Sequence, residues 1–325
     1  MNRLAELYVE RDRIIEEIRH RNYTAIKSNI RPYQEAFASK EFLDLMGDLP
    51  KRLNAVLAEI YELEKARKGQ DHFTKENVFV WGGPTPSWGG SMAKDASIKA
   101  KEYFGFDNVM YVYGDHSDEM LAIHKDCGKV ICHLGSNCRT AGAQTMSDVD
   151  EAKHLSEMSL KYPNIIGGVI DDMIGNCGPK YSRKIYMEMH DALKSANPNL
   201  ELFGVVYTHE LDGNPMSKRL VDCIDHVILW TWDKNHLMDL DLNIEKCLRL
   251  FPGKPVMMGV FMFDYGLTCL PNDVPSIQYQ LEKARKYLQE GKIQDIVILG
   301  DREIHKCPEV AVCIRDFFQS EFQKG

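Results

Sequence analysis

The pattern of apolar positions changes near residue 75 of the chain. In residues 1–75, apolar residues recur every three or four positions between many Glu, Arg and Lys residues. One such series is Leu53, Val56, Leu57, Ile60 and Leu63. This period is typical of amphipathic helices. The segment therefore predicts about three helices and almost no strand.

From residue 76 onward, short apolar runs alternate with segments of helical period. The runs are rich in Val, Ile and aromatic residues, which is typical of parallel strands buried on both faces. They are residues 77–83, 108–114, 129–135, 164–172, 200–210, 226–233, 254–266 and 294–301. Eight strand–helix units over about 250 residues favour an α/β fold that closes into a (β/α)8 TIM barrel.

An open doubly wound sheet is the alternative to the closed barrel. That fold would place the pattern G-x-G-x-x-G directly after the first strand. The chain has WGGPTPSWGGS there, which lacks the pattern. The sequence thus predicts a helical N-terminal extension, residues 1–75, and a catalytic barrel domain, residues 76–325.

Composition narrows the class of protein. The 325 residues are 44% hydrophobic and 27% charged, as in ordinary globular proteins, and 40 basic against 48 acidic residues give a net charge of −8. This charge disfavours nucleic acid as a partner, and no apolar stretch approaches the ~20 residues that span a membrane. The charged start of the chain lacks a signal-peptide core, and nine cysteines suggest reduced thiols. We expect a cytoplasmic protein with neither a nucleic-acid nor a membrane partner.

Chemistry in this fold is expected at the carboxyl ends of the strands and in the loops that follow them. Polar and aromatic residues collect there, and indole rings beside carboxylates suit the apolar faces and hydroxyl groups of a sugar. The predicted substrate-binding residues are Trp81, Tyr113, His133, Asn137, Arg139, Tyr207, His209, Trp230, Trp232, Asp264, Tyr265 and Glu303. The alternative for the tryptophans is packing between barrel and helices.

Four carboxylates at strand ends are candidate catalytic residues. Asp171 and Asp172 end the fourth run, Glu210 ends the fifth and Asp233 ends the sixth. Strand alternation sends Asp171 and Asp172 to opposite faces and leaves open which of them faces the barrel mouth. The alternative is structural, with one Asp capping the next segment and the other pairing with Lys or Arg.

Histidines at strand ends raise the question of a metal ion. His116, His133 and His209 lie near carboxylates in the predicted layout, and the two residue types together can bind a divalent cation. However, neither a His-x-His pair on the first strand nor an H-E-x-x-H motif is present. We expect no cofactor. A metal-dependent isomerase, epimerase or hydrolase, with His133, Asp172, His209 and Glu303 as ligands, remains the alternative.

Three strand-end phrases together resemble a known group of proteins. IIGGVIDD, HVILWTWD and KPVMMGVFMFDYG follow one another on the fourth, sixth and seventh strands. Over residues 77–320 the chain resembles the uncharacterised glycosidase-like barrels of many bacterial genomes, within the glycoside hydrolase superfamily. The resemblance implies a bacterial hydrolase that acts on a small carbohydrate or glycoside.

The resemblance also suggests roles for particular acids. In the α-galactosidase-like arrangement, the nucleophile would be Asp171 or Asp172 and the acid/base would be Asp233. The D-x-x-D-x-D-x-E pattern of the chitinase-like arrangement is absent, and the seventh strand offers Asp264 rather than the Glu of the large family with Glu on strands four and seven. A barrel that binds sugar without catalysis is a further alternative.

The N-terminal segment suggests self-association. Residues 2–20 carry an apolar stripe that a lone surface helix would not need. The segment is expected either to form a homodimer contact or to cap one end of the barrel.

Overall fold

The computed structural model describes most of the chain as two compact units, residues 1–67 and 68–325. The described residues are 3–30, 33–34, 37–65, 69–86, 90–135, 146–174, 181–211 and 220–324. Among them, no helix is long and apolar enough to cross a membrane.

The first unit is built mainly from helices. These are α1 (Arg3–Lys27), α2 (Lys40–Met46) and α3 (Leu49–Lys65), and Ser39 caps α2 by accepting the backbone N–H of Phe42. Leu7 and Ile14 of α1 pack with Val56 and Ile60 of α3 in a small apolar core. The predicted helices are present. The pattern missed two short strands, Tyr33–Gln34 and Phe37–Ala38, which pair with each other.

The second unit is the predicted barrel. All eight strands are parallel, and the last one closes the sheet by pairing with the first. The strands are β1 (Val78–Gly82), β2 (Asn108–Tyr111), β3 (Val130–His133), β4 (Ile165–Ile170), β5 (Glu201–Tyr207), β6 (His226–Trp230), β7 (Val256–Phe261) and β8 (Asp295–Leu299). The (β/α)8 fold is confirmed.

Helices follow most of the strands and cover the outside of the barrel. They are α4 (Ala96–Phe104), α5 (Asp118–Ile123), α6 (Asp148–Met158), α7 (Arg183–Leu193), α8 (Leu240–Leu250), α9 (Val274–Gln289) and α10 (Pro308–Phe322). Short 3-10 helices lie at Thr208–Glu210, Val221–Cys223 and Lys234–Asp239. A small antiparallel pair, Phe263–Asp264 with Leu270–Pro271, follows β7.

Side chains along each strand alternate between two apolar cores, as the pleat requires. One core lies between strands and helices, and the other fills the barrel interior. The interior core includes Phe79, Trp81, Met110, Ile131, Val169, Phe203, Val205, Tyr207, Ile228, Trp230, Met257, Phe261, Val297 and Leu299. This register determines which residues past the strand ends continue toward the barrel mouth.

Candidate functional site

Asp171 and Asp172 directly follow β4, and the regular alternation of side chains between the two faces of the strand stops at Asp172. Asp171 continues the register of the interior residue Val169. Asp172 would face the helices by the same count, but its backbone has a φ of +49°. Its carboxylate then accepts a hydrogen bond of 2.7 Å from the hydroxyl of Tyr207, an interior residue, and its N–H donates to Asp171 at 3.0 Å. The left-handed turn, which Asp tolerates better than most residues, brings the second carboxylate to an interior tyrosine.

Asp233 and Glu210 make local hydrogen bonds to the backbone. Asp233 accepts the N–H of Asn235 at 2.8 Å and caps the 3-10 helix Lys234–Asp239. Glu210 is buried and accepts the N–H of Tyr207 at 2.9 Å. Both carboxylates therefore hold the turns after their strands. A catalytic role for either stays a prediction.

Asp264 closes the short hairpin after β7. Its carboxylate accepts the hydroxyl and the N–H of Thr268, at 2.7 and 2.9 Å, and the N–H groups of Lys234 and Leu267. Burial alone would disfavour the charged form, but these hydrogen bonds outweigh burial and lower the pKa of Asp264. The residue holds the loop that carries Tyr265.

The aromatic residues divide into a buried floor and a half-buried row. Trp81 and Trp230 are each 2% exposed and meet edge to face, with ring centroids 5.8 Å apart, inside the barrel. Tyr207, Trp232 and Tyr265 form the row: Trp232 meets the Tyr207 ring edge-on at 5.4 Å and stacks on the Tyr265 ring at 5.3 Å. Trp232 and Tyr265 are half-buried, so this part of the row can meet a ligand.

A buried polar cluster follows β8, on the side of the barrel opposite β4. Asp301 continues the interior register of Val297 and Leu299, and its Oδ2 accepts the N–H of Gly83 at 2.8 Å. Glu303, 1% exposed, accepts the hydroxyl of Tyr265, and the Arg302 Nε lies 3.4 Å from Glu303 Oε1.

Further contacts fix the members of this cluster in place. The Arg302 guanidinium lies over the Tyr113 ring, 5.1 Å from its centroid, and the Tyr113 hydroxyl accepts the indole N–H of Trp81 at 3.1 Å. The Asp301 carboxyl packs directly against Gly82. A side chain at position 82 would not fit, since its Cβ would lie 2.6 Å from the Asp301 Cγ. The sequence prediction included Glu303, but it missed Asp301 and Arg302 as candidates. The interior register of β8 was the signal that could have identified Asp301.

The environment of the cluster raises the pKa of both of its carboxyl groups. Burial, opposed by the Gly83 hydrogen bond and reinforced by the nearby charge of Glu303, raises the pKa of Asp301 to about 7. Burial likewise raises the pKa of Glu303, although Arg302 opposes the shift. The single positive charge of Arg302 thus lies beside two buried carboxyl groups. Burial and the charge of Glu303 also raise the pKa of the Tyr265 hydroxyl.

The histidines lie in three different environments. His133 ends β3 and is fully buried. His116 is buried with its Nδ1 3.2 Å from a carboxylate oxygen of Glu151 on α6, a partner the sequence did not suggest. The His209 residue is largely exposed, and its ring stacks on the Tyr207 ring with centroids 5.6 Å apart. Partial burial of the ring together with the nearby His236 lowers the pKa of His209.

No group of three or more His, Cys, Asp or Glu side chains in the described part of the chain is arranged to hold a metal ion. The four ligands of the metal-dependent alternative, His133 at the end of β3 and Asp172, His209 and Glu303 after β4, β5 and β8, are therefore not gathered into one site. Asn137 and Arg139, predicted to bind substrate after β3, lie outside the described residues.

Comparisons with known proteins support the fold. No protein-family model and no curated protein sequence matches the chain. Among solved structures, a glucosidase from Croceicoccus marinus is similar with a TM-score of 0.52 and 12% identity, over 78% of this chain and 69% of that chain.

Two further structures are similar at lower scores. A putative chitinase A from Streptomyces coelicolor has a TM-score of 0.47 and 11% identity, over 76% of this chain and 99% of its own. An intracellular xylanase from Thermoanaerobacterium saccharolyticum has a TM-score of 0.46 and 14% identity, over 71% and 87%. The likeness to the glucosidase shows the fold alone, and at that level the resemblance to glycosidase-like barrels is confirmed.

Proposed function

We propose that this protein is a glycoside hydrolase-like enzyme that acts on a small carbohydrate or glycoside. The observation that carries the proposal is the position of the Asp172 carboxylate, hydrogen-bonded by Tyr207 at one end of the Tyr207–Trp232–Tyr265 row. Aromatic faces stack on the apolar faces of sugars, and a carboxylate beside them can attack an anomeric carbon or activate water.

Asp172 is the best-placed of the four predicted acids for this role. Glu210 and Asp233 are hydrogen-bonded to the backbone of their own turns, and one oxygen of Asp171 accepts the N–H of Asp172. Asp172 is exposed and accepts its hydrogen bond from a side-chain hydroxyl of the aromatic row. The proposed reaction is hydrolysis at the carboxyl end of the barrel, without a cofactor.

The test is a screen of activated aryl glycosides with the full-length protein. On a responsive substrate, Asp172→Asn is expected to lower kcat by at least the ~10²-fold typical of a lost catalytic acid or base. Asp171→Asn tests the neighbouring carboxylate in the same assay. Asp295→Asn is the matched control, because Asp295 begins β8 at the other end of the barrel, and it should retain activity.

Two results would contradict this function. Normal turnover by both Asp171→Asn and Asp172→Asn would show that neither carboxylate is catalytic. If no glycoside is hydrolysed, but calorimetry detects sugar binding that Trp232→Ala abolishes, the protein is a non-catalytic sugar-binding barrel instead.

A further inference from the structure

The aromatic row has a carboxyl group at each of its ends. Tyr207 donates its hydroxyl to Asp172 at one end, and Tyr265 donates its hydroxyl to Glu303 at the other. Trp232 lies between the tyrosines, with its ring centroid 5.4 Å from Tyr207 and 5.3 Å from Tyr265. The rings of Trp232 and Tyr265 are called the distal stack here, because they lie away from Asp172 along the row. The proposed function assigns a role to the Asp172 end and none to the distal stack.

We propose that Glu303 is a positioning residue for the distal stack, and that this stack binds a second ring of the substrate, next to the ring that reacts at Asp172. Asp172 contacts the first ring of the row, so a ligand that also covers the distal stack must extend past the reacting unit. The inference rests on the proposed function, because it assigns a neighbouring part of the same site. It restricts the substrate to a glycoside with at least two linked rings.

The hairpin after β7 fixes the backbone around Tyr265. Asp264, the preceding residue, accepts the hydroxyl and the N–H of Thr268. Gly266, the following residue, donates its N–H to the carbonyl oxygen of Trp232 at 3.1 Å, and a Cβ at position 266 would lie 2.7 Å from the Trp232 Cδ1. The backbone is therefore held on both sides of Tyr265, and the hairpin is tied to the loop after β6. The direction of the Tyr265 side chain needs a further contact.

Glu303 supplies the contact that fixes the Tyr265 side chain. It follows β8, which pairs with β7, and it is 1% exposed. Its Oε1 accepts the Tyr265 hydroxyl and lies 3.4 Å from the Nε of the buried Arg302. A buried side chain with partners on two sides has little freedom to move, so it holds the end of the tyrosine at one point. Because Glu303 is buried, it acts through Tyr265 and does not touch the substrate.

The distal stack offers aromatic surface to a ligand. Trp232 and Tyr265 are half-buried, whereas the Tyr265 hydroxyl is donated to a buried carboxyl group. The two ring planes lie within 25° of each other, so a turn of the Tyr265 ring would also disturb the surface that Trp232 presents. Aromatic rings pack against the apolar face of a sugar or against another aromatic ring. The second ring of the substrate is therefore a sugar or an aryl group.

The kinetic test compares substrates with one and two rings. It uses the fluoride, the phenyl glycoside and a disaccharide of the sugar that responds in the screen above. Glu303→Leu is expected to raise KM for a two-ring substrate by about threefold to tenfold with kcat nearly unchanged, because binding shared by ground state and transition state is lost. KM for the one-ring fluoride should not change. The two-ring substrate that shows the effect identifies the second ring as aryl or sugar.

Three further variants separate positioning from structural damage. Glu303→Gln should restore the original KM, because its amide oxygen still accepts the Tyr265 hydroxyl. Tyr265→Phe removes the same hydrogen bond, leaves Arg302 beside Glu303, and should raise KM as Glu303→Leu does. Tyr287→Phe is the matched control: its hydroxyl donates to Asp241 at 2.8 Å on the outer helices, and its loss should leave KM unchanged.

A double variant tests whether Glu303 acts through Tyr265. Adding Glu303→Leu to Tyr265→Phe should not raise KM further, because the contact between the two residues is already absent. A further rise would overturn the positioning role. An equal rise of KM on the fluoride and on the two-ring substrates would overturn the second-ring site.

This inference and the proposed function can fail separately. Hydrolysis with a KM that neither Glu303→Leu nor Tyr265→Phe changes would overturn the inference alone. If no glycoside is hydrolysed, calorimetry with the monosaccharides and disaccharides of glucose, galactose, mannose and xylose replaces the kinetics. Binding of a disaccharide that Tyr265→Phe weakens, without hydrolysis, would overturn the hydrolase and leave the second-ring site standing. Neither binding nor hydrolysis would overturn both.

Discussion

Gly259→Ala is expected to destabilise the barrel by about 3 kcal/mol, at the upper end of the usual cost of overpacking a core. Gly259 lies in the middle of β7 on the interior face, where a Cβ would be 2.1 Å from Cδ2 of the buried Trp230 ring. The indole cannot move aside easily, because its ring also packs against the rings of Phe261 and Trp81, with centroids 4.4 Å and 5.8 Å away. Urea unfolding followed by circular dichroism measures the loss.

A double-mutant cycle isolates the steric cause. In a Trp230→Ala background the space beside residue 259 is open, and the same Gly259→Ala change should cost less than about 1 kcal/mol. Gly105→Ala is a second control, because nothing lies within 4 Å of the new Cβ and only the strain of φ +73° remains, about 1–2 kcal/mol. Equal costs of Gly259→Ala in the two backgrounds would refute the explanation.

The barrel could be predicted because its signals are local and repeated. Each of the eight strands lies within an apolar run that the sequence shows directly, and the helices between them follow an amphipathic period. Strand ends were harder to predict. The predicted run 164–172 continues through Asp171 and Asp172, whereas β4 ends at Ile170 and the left-handed backbone at Asp172 breaks the alternation. No pattern of apolar positions reports that turn.

The site depends on contacts between distant parts of the chain. Gly83 and Asp301 are 218 positions apart, and Tyr265 and Glu303 are 38 apart, so the local pattern places Asp301 at a strand end but does not report the contacts that bury it. Conversely, the backbone contacts of Asp233 and Glu210 span two and three residues and are ordinary capping geometry. An Asp or Glu at a strand end fits either role in the sequence, and only the three-dimensional contacts distinguish them.

Asp301→Asn is expected to stabilise the protein above neutral pH. The pKa of Asp301 is raised from 3.8 to about 7, so the folded protein binds this proton more tightly than the unfolded chain does. The stability that the proton contributes is present below about pH 4 and is lost as pH rises to about 7. Three pKa units correspond to about 4 kcal/mol, which Asn does not lose because it never ionises. Urea unfolding of both proteins at pH 4.5 and pH 8 measures the difference.

Two further Asp→Asn variants fix the sign of this effect. Burial raises the pKa of Asp295 to about 6, so Asp295→Asn should also stabilise at pH 8, by about 3 kcal/mol. Asp225 is the opposite case: burial opposes its charge, but hydrogen bonds from His190, Leu202 and Lys194 prevail and lower its pKa. Asp225→Asn should therefore destabilise at pH 8, with the loss shrinking only in strong acid. If Asp301→Asn followed Asp225→Asn in sign, the raised pKa of Asp301 would be refuted, because a carboxyl that is neutral in the folded state below pH 7 gains no stability from its charge.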